Sequence, residues 1–211
     1  MVALALLALL VALGVRNAHK PEPGMSGDAP TPHGTPAERL ERLATHEAGH
    51  AVVAWHCPIV DRVSGLIIES AEDGPALWHG QVLHGWRRAR PDERLAWDVV
   101  IALAGFSAEV LRYGRVRSLS RRDLDEALLA ARSFCRRGKP WPFDGFDPPV
   151  PFPFEVACSN EERDVLVRAW SLACVMLMGH RVAHERIASA AAIRRRLSEQ
   201  ELATILGPRA S

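Results

Sequence analysis

Hydrophobic and polar positions change their rhythm several times along this chain. Residues 1–13 are an unbroken run of Met, Val, Ala and Leu, followed by Gly14, Val15 and Arg16. Residues 16–34 are rich in Pro, Gly and small polar residues with no apolar period, which reads as a flexible linker. A helical period begins at Thr35. Thr35 suits the N-cap, Pro36 the first helical position, and Glu38 completes a capping box. Leu40, Leu43, Ala51 and Ala54 then form one apolar stripe, and Pro58 stops the helix after Cys57. Residues 63–69 and 76–84 read as short strands around a Glu72–Pro75 turn. Helical patterns return at Asp92–Tyr113, closed by Gly114, at Ser120–Arg137 before Gly138, and at 159–178 and 180–196. A last short helix follows Ser198, with Glu201 completing a capping box and Leu197 and Leu202 placed as a hydrophobic staple. The expected fold class is mainly α with a small β-sheet. The expected organisation is an apolar segment (1–15), a linker (16–34) and one domain (35–207).

Composition narrows the function. With 26 Lys and Arg against 25 Asp and Glu, the chain lacks the basic excess of a general nucleic-acid binder. Four cysteines with no C-x-x-C pair support neither a disulfide framework nor a cysteine zinc site. The 211 residues permit one domain with a sizeable core or one domain with an appendage, and are too few for an ATP-driven unfolding domain as well. As a helix the first 15 residues span about 22 Å, short of the roughly 30 Å hydrocarbon core. No basic residue precedes the run, whereas Arg16 and Lys20 follow it, which favours a cytoplasmic location for the rest of the chain. Three readings stay open for this segment: a short membrane anchor, a signal, or a translated extension ahead of a start at Met25.

The first helix carries T-H-E-A-G-H-A, in which His46, Glu47 and His50 match H-E-x-x-H. Two histidines four apart project from one helix face, so both imidazoles can reach one Zn²⁺ at about 2.0–2.1 Å. Glu47, beside the first histidine, can take a proton from water activated by the metal. His46 and His50 lie at the margin of the apolar stripe, as suits residues facing a cleft. Catalytic zinc commonly takes three protein ligands and keeps one position open, so a third ligand is required. Neither the H-x-x-G-x-x-H extension nor an H-x-x-E-H motif is present to supply it.

The stretch T-H-E-A-G-H-A-V-V-A-W (45–55) resembles the metal motif of the FtsH-type zinc metalloproteases. I-A-L-A-G-F-S-A-E-V-L (101–111) is similar to their second helix, and S-L-S-R-R-D-L-D-E-A (118–127) to the segment that supplies their third zinc ligand. The last helices (186–206) are similar too, so the resemblance covers about residues 36–206 in order. It implies the helical peptidase fold of that family, zinc dependence, endopeptidase chemistry, and Asp123 as the third ligand. From spacing alone Asp123 has another reading, as the capping-box acid of a helix begun at Ser120. Asp125 and Glu126 are the fallback ligands. Glu109, in the Ala-Glu step of the second helix, is a candidate to orient a ligand histidine, with a surface ion pair as the alternative. Arg122 stands where the family has Asn and Phe106 where it usually has Arg, which bears on substrate handling more than on metal binding.

Other chemistry-bearing residues read more plainly. His180 and His184 repeat the i, i+4 spacing without a following Glu, and read as a solvated or half-buried helix face. His79 and His84 are five apart on a strand and point to opposite faces. The segment 138–157, with Trp141, Phe143, Phe146, Phe152 and Phe154, suits a cover over the helices, a substrate rim or an oligomer contact. Strand 76–84 is a candidate edge for an extended substrate. The expected function is zinc-dependent hydrolysis of peptides or unfolded protein segments, with a separate ATPase or a homo-oligomer as candidate partners. The domain is expected to be cytoplasmic, either free or anchored through residues 1–15. The competing expectation is a degenerate relative that serves as a zinc-containing binding or regulatory module.

Overall fold

A computed structural model describes residues 34–70, 78–116, 121–143 and 147–209. The apolar run 1–15, most of the linker, the Glu72–Pro75 turn, Ser120 and Phe146 lie outside the described residues. Pro36–Ser211 forms one compact unit. Its elements run α1 (Pro36–His56), β1 (Val60–Ser70), β2 (Trp78–Trp86), α2 (Pro91–Tyr113), α3 (Arg121–Cys135), α4 (Asn160–Gly179), α5 (Arg181–Arg194), β3 (Arg196–Ser198) and α6 (Glu199–Leu206). This is a mostly helical domain with a three-stranded sheet.

Local signals in the sequence account for most element ends. Pro91 opens α2, and Gly114 closes it in the left-handed conformation with φ 72°. Ser159 and Glu162 form a complete capping box on α4, and Ser198 and Glu201 form another on α6. Several boundaries differ from expectation: β1 begins at Val60 and β2 runs to Trp86, each beyond its expected range, and α3 ends at Cys135 rather than Arg137. The helix expected to run to 196 ends at Arg194, and Arg196–Ser198 becomes a third strand instead. Three residues carry too little period-2 signal to be seen as a strand; pairing with β1 creates it.

The sheet order is β2-β1-β3, antiparallel throughout. Leu66 pairs with Leu197, and both are buried. Two register shifts on the β1 side, between Val60 and Arg62 and between Val63 and Gly65, leave β2 regular while bending its partner. β2 is an edge strand. Its exposed Gln81 and Leu83 alternate with the more protected Gly80, Val82, His84 and Trp86, which share the opposite face.

The core lies where α1 crosses α2. Every residue of α1 from Ala44 to Trp55 is buried, and so is most of α2 from Ala96 to Val110. This fit depends on small residues. A Cβ on Gly49 would lie 2.6 Å from the Ala104 carbonyl oxygen and 2.8 Å from the Ala108 Cβ. The aromatic segment after α3 is a packed cover: Phe143 lies against Trp97, Trp141 against Phe134, Phe154 against Phe106, and Phe152 against Trp170. Among the described residues no single helix is long and apolar enough to cross a membrane. α4 and α5 reach that length and composition only as a pair bent by 86°.

The far end of α1 is tied down by polar contacts. Arg209 donates to the backbone carbonyls of Trp55, Val60 and Asp61, and its guanidinium lies over the Trp55 ring. His56 stacks on His180, with ring centroids 3.7 Å apart and planes 10° from parallel. Burial, and then the charges of His180 and Arg209, push the His56 pKa down from 6.5 to about 4.

Two predictions follow from this packing. Gly49→Ala should destabilise the fold by about 1–3 kcal/mol in urea unfolding, although Ala is the better helix former by about 1 kcal/mol. A stabilised variant would mean the helices separate freely. For His56 the folded chain binds fewer protons than the unfolded one, so its contribution is full above pH 6.5 and is lost as pH falls toward about 4. The urea midpoint should fall over that window, and His56→Gln should flatten the fall. Equal slopes in both proteins would remove His56 as its cause.

Candidate metal centre

His46 and His50 lie one turn apart on α1, and α2 grips both from behind. His46 Nδ1 is 2.7 Å from Glu109 Oε1, and His50 Nδ1 is 2.7 Å from the Ile101 carbonyl oxygen. A carbonyl only accepts, so His50 Nδ1 carries the proton and a neutral ring presents a lone pair at Nε2. Carboxylate support of His46 through Glu109 sets the same orientation, a common second partner for a metal-binding imidazole. Glu109 is fully buried, so it is no surface ion pair.

The two Nε2 atoms converge. They lie 3.1 Å apart, and Asp123 Oδ2, from the first turn of α3, is 2.9 Å from His46 Nε2 and 3.8 Å from His50 Nε2. Two imidazole lone pairs and a carboxylate facing one point repel unless a cation lies among them. One proton relieves a single contact, whereas one metal ion relieves all three. Tetrahedral zinc with bonds of about 2.0–2.1 Å places ligand atoms about 3.3–3.4 Å apart, and the observed distances bracket that value. The donor set of two nitrogens and one oxygen suits zinc. Asp125 and Glu126 stand outside the cluster: both are exposed, and Glu126 pairs with Arg122 at 2.8 Å.

The electrostatics show the same demand for positive charge. Burial opposes protonation of His46, yet the hydrogen bonds to Asp123 and Glu109 and the charges of Glu47 and Glu109 push its pKa up to about 10. Burial also works against an ionised Asp123. The hydrogen bonds to His46 and His50 nevertheless hold its carboxyl well below the usual range. For Glu47, 6% exposed, burial pushes the pKa up while His50 and His46 pull it down.

Two glycines make room for this arrangement. A Cβ on Gly105 would fall 2.3 Å from His46 Nε2, and one on Gly80 would fall 2.3 Å from the Glu47 carboxyl. Neither glycine belongs to the metal motif itself. Their signal was a glycine inside a helical pattern and another inside a strand pattern, each a mark of close backbone approach. Phe106 also lines the centre: its ring packs edge-on to His46 at 5.1 Å and continues to Phe154.

The remaining histidines have other surroundings. His184 is buried, not solvated, with Nε2 2.9 Å from the Thr45 carbonyl oxygen, so it braces α5 on α1. His180 takes part in the stack on His56. His84 packs against Trp86, and the side chain of His79 lies outside the described residues.

With this geometry in place, comparison with known proteins adds a relationship. No family model matches the chain. It is similar to the ATP-dependent zinc metalloprotease FtsH 3 of Sphaerobacter thermophilus, 30% identical over 190 residues that make up 82% of this chain and 36% of that protein. The ATP-dependent zinc metalloprotease FtsH 1 of Sorangium cellulosum is 34% identical over 101 residues, 48% of this chain and 16% of the relative. The ATP-dependent zinc metalloprotease FtsH of Ralstonia pickettii is 34% identical over 100 residues, 44% and 13% respectively. The chain therefore spans roughly a third or less of the length of these relatives. Its sequence makes it a distant homologue of the FtsH zinc metalloproteases.

Proposed function

We propose that residues 35–207 form a zinc-dependent endopeptidase domain acting on peptides or unfolded protein segments. His46, His50 and Asp123 would hold the metal, and Glu47 would act as general base. The observation that carries this reading is the convergence of two tautomer-fixed imidazoles and one carboxylate beside a buried glutamate. Bound there, Zn²⁺ would polarise the scissile carbonyl and make water more acidic.

The protein groups divide the remaining work. Glu47 takes the proton of the attacking water and passes it to the leaving nitrogen, and its burial favours holding that proton between the two events. Glu109 and the Ile101 carbonyl fix the imidazoles. The outer edge of β2, whose Gly80 backbone touches Glu47, is placed to receive an extended chain by main-chain hydrogen bonds. None of these steps uses a nucleotide. A separate ATPase partner or a homo-oligomer belongs to the same proposal, as does a cytoplasmic setting with attachment through the apolar run 1–15, which Arg16 and Lys20 follow.

Glu47→Gln should retain zinc and lose about 10²–10⁴-fold in casein cleavage. Zinc in the wild type without any chelator-sensitive cleavage would instead favour a zinc-containing binding or regulatory module. Asp123→Ala should weaken zinc binding by more than the 10–100-fold typical of a supporting partner, and Glu109→Gln should fall within about that 10–100-fold range. Competition with a chromogenic chelator measures both. Undiminished affinity in Asp123→Ala would remove it from the ligand set.

A further inference from the structure

Beyond Gly80, the inner face of β2 leads away from Glu47 through Val82 and His84 to Trp86. His84 meets the Trp86 ring edge-on at 5.1 Å, and from the first turns of α2 the Arg94 guanidinium lies over the same ring at 5.2 Å. Trp86 is thus in contact with both an imidazole and a cation. Of the arginines in the W-R-R-A-R-P-D-E-R segment, Arg87 pairs with Asp61 at 3.5 Å and Arg90 with Glu93 at 3.8 Å. Arg88 and Arg94 are both exposed and have no ion-pair partner among the described residues, and of the two it is Arg94 that lies over the Trp86 ring. Asp98, one turn further on α2, does not pair with it, and burial pushes the Asp98 carboxyl up to about 6 despite the Arg94 charge.

A guanidinium placed over an aromatic ring without an ion-pair partner keeps donors available, and its planar fork matches a carboxylate. Here it lies over the ring of Trp86, the last residue of the edge strand along which an extended chain would lie. We infer that Trp86 and Arg94 form a specificity subsite that takes an acidic side chain of the substrate, several residues from the scissile bond. At about 3.3 Å per residue along β2, Trp86 lies roughly 20 Å from Gly80, which corresponds to about six substrate residues. This rests on the peptidase reading above, and it adds a substrate class to that site. Loop closure alone would explain the Trp86–Arg94 stack, but it would create no dependence on substrate charge at one position.

The test uses the full chain and internally quenched peptides in which a single Glu, Gln or Lys is moved through successive positions on both sides of the cleaved bond. The expected result is a kcat/KM about five- to tenfold higher for Glu than for Gln at one position only. In Arg94→Gln that ratio should collapse to about one, and in Arg94→Glu the preferred residue should become Lys. Arg88→Gln, exposed in the same segment, should keep the wild-type ratio. A second arm measures binding of the fluorescein-labelled Glu and Gln peptides to the Glu47→Gln protein by anisotropy, where the same Arg94-dependent ratio is expected without turnover. Cleavage with no charge preference overturns the subsite and leaves the peptidase standing. Absence of cleavage with the binding ratio intact overturns the peptidase and leaves the subsite. A Glu preference at every position, competed equally by heparin, overturns the subsite in favour of general polyanion attraction.

Discussion

Helices α1 and α2 can lie against each other only because glycine stands at the points of contact, and the polar centre depends on that closeness. Gly49 lets the α1 backbone settle on Ala104 and Ala108. Gly105 leaves the space that the His46 ring fills. At this separation the Ile101 carbonyl and the Glu109 carboxylate reach the Nδ1 atoms of His50 and His46. Burying Glu109 completely would be costly without a partner, and His46 supplies it. Burying His46 would be costly as well, and its two flanking acids offset that. Each half of the arrangement makes the other tolerable.

Around this pair the other elements act as supports. α3 delivers Asp123 from its first turn, while apolar residues such as Ala127, Ala131 and Phe134 seat the helix in the core. β2 brings Gly80 onto Glu47 and then continues to the Trp86 ledge. α5 is braced on α1 by His184, one turn from the ring stack that joins His56 to His180. The aromatic cover reaches the centre through Phe154 and Phe106, so that His46 is held by an acid on one side and a ring on another. Such a site is rigid because its side chains are fixed by groups on other elements.

How much of this was legible in the sequence follows from the range of each interaction. Caps, turns and the i, i+4 histidine pair are local, and they gave the helices, the two longer strands and the orientation of His46 and His50 on one face. Glu109 and Asp123 are 63 and 77 residues from His46. Spacing alone leaves Asp123 open as a helix cap, and the family resemblance singles it out; Glu109 stays open as a surface ion pair until the fold buries it against His46. His184 reads as a solvated or half-buried helix face for the same reason: a lone histidine on a helix gives no sign that a carbonyl 139 residues away will cover it.

The sequence by itself determined the elements and the chemical types that face one another, because periodicity and capping act within a few residues. Only the tertiary structure decided which acid meets which imidazole, that β3 exists, and that two glycines line the centre. Those outcomes depend on how closely backbones approach across the core. That distance is set by every side chain along the contact together, and no single segment of the chain encodes it.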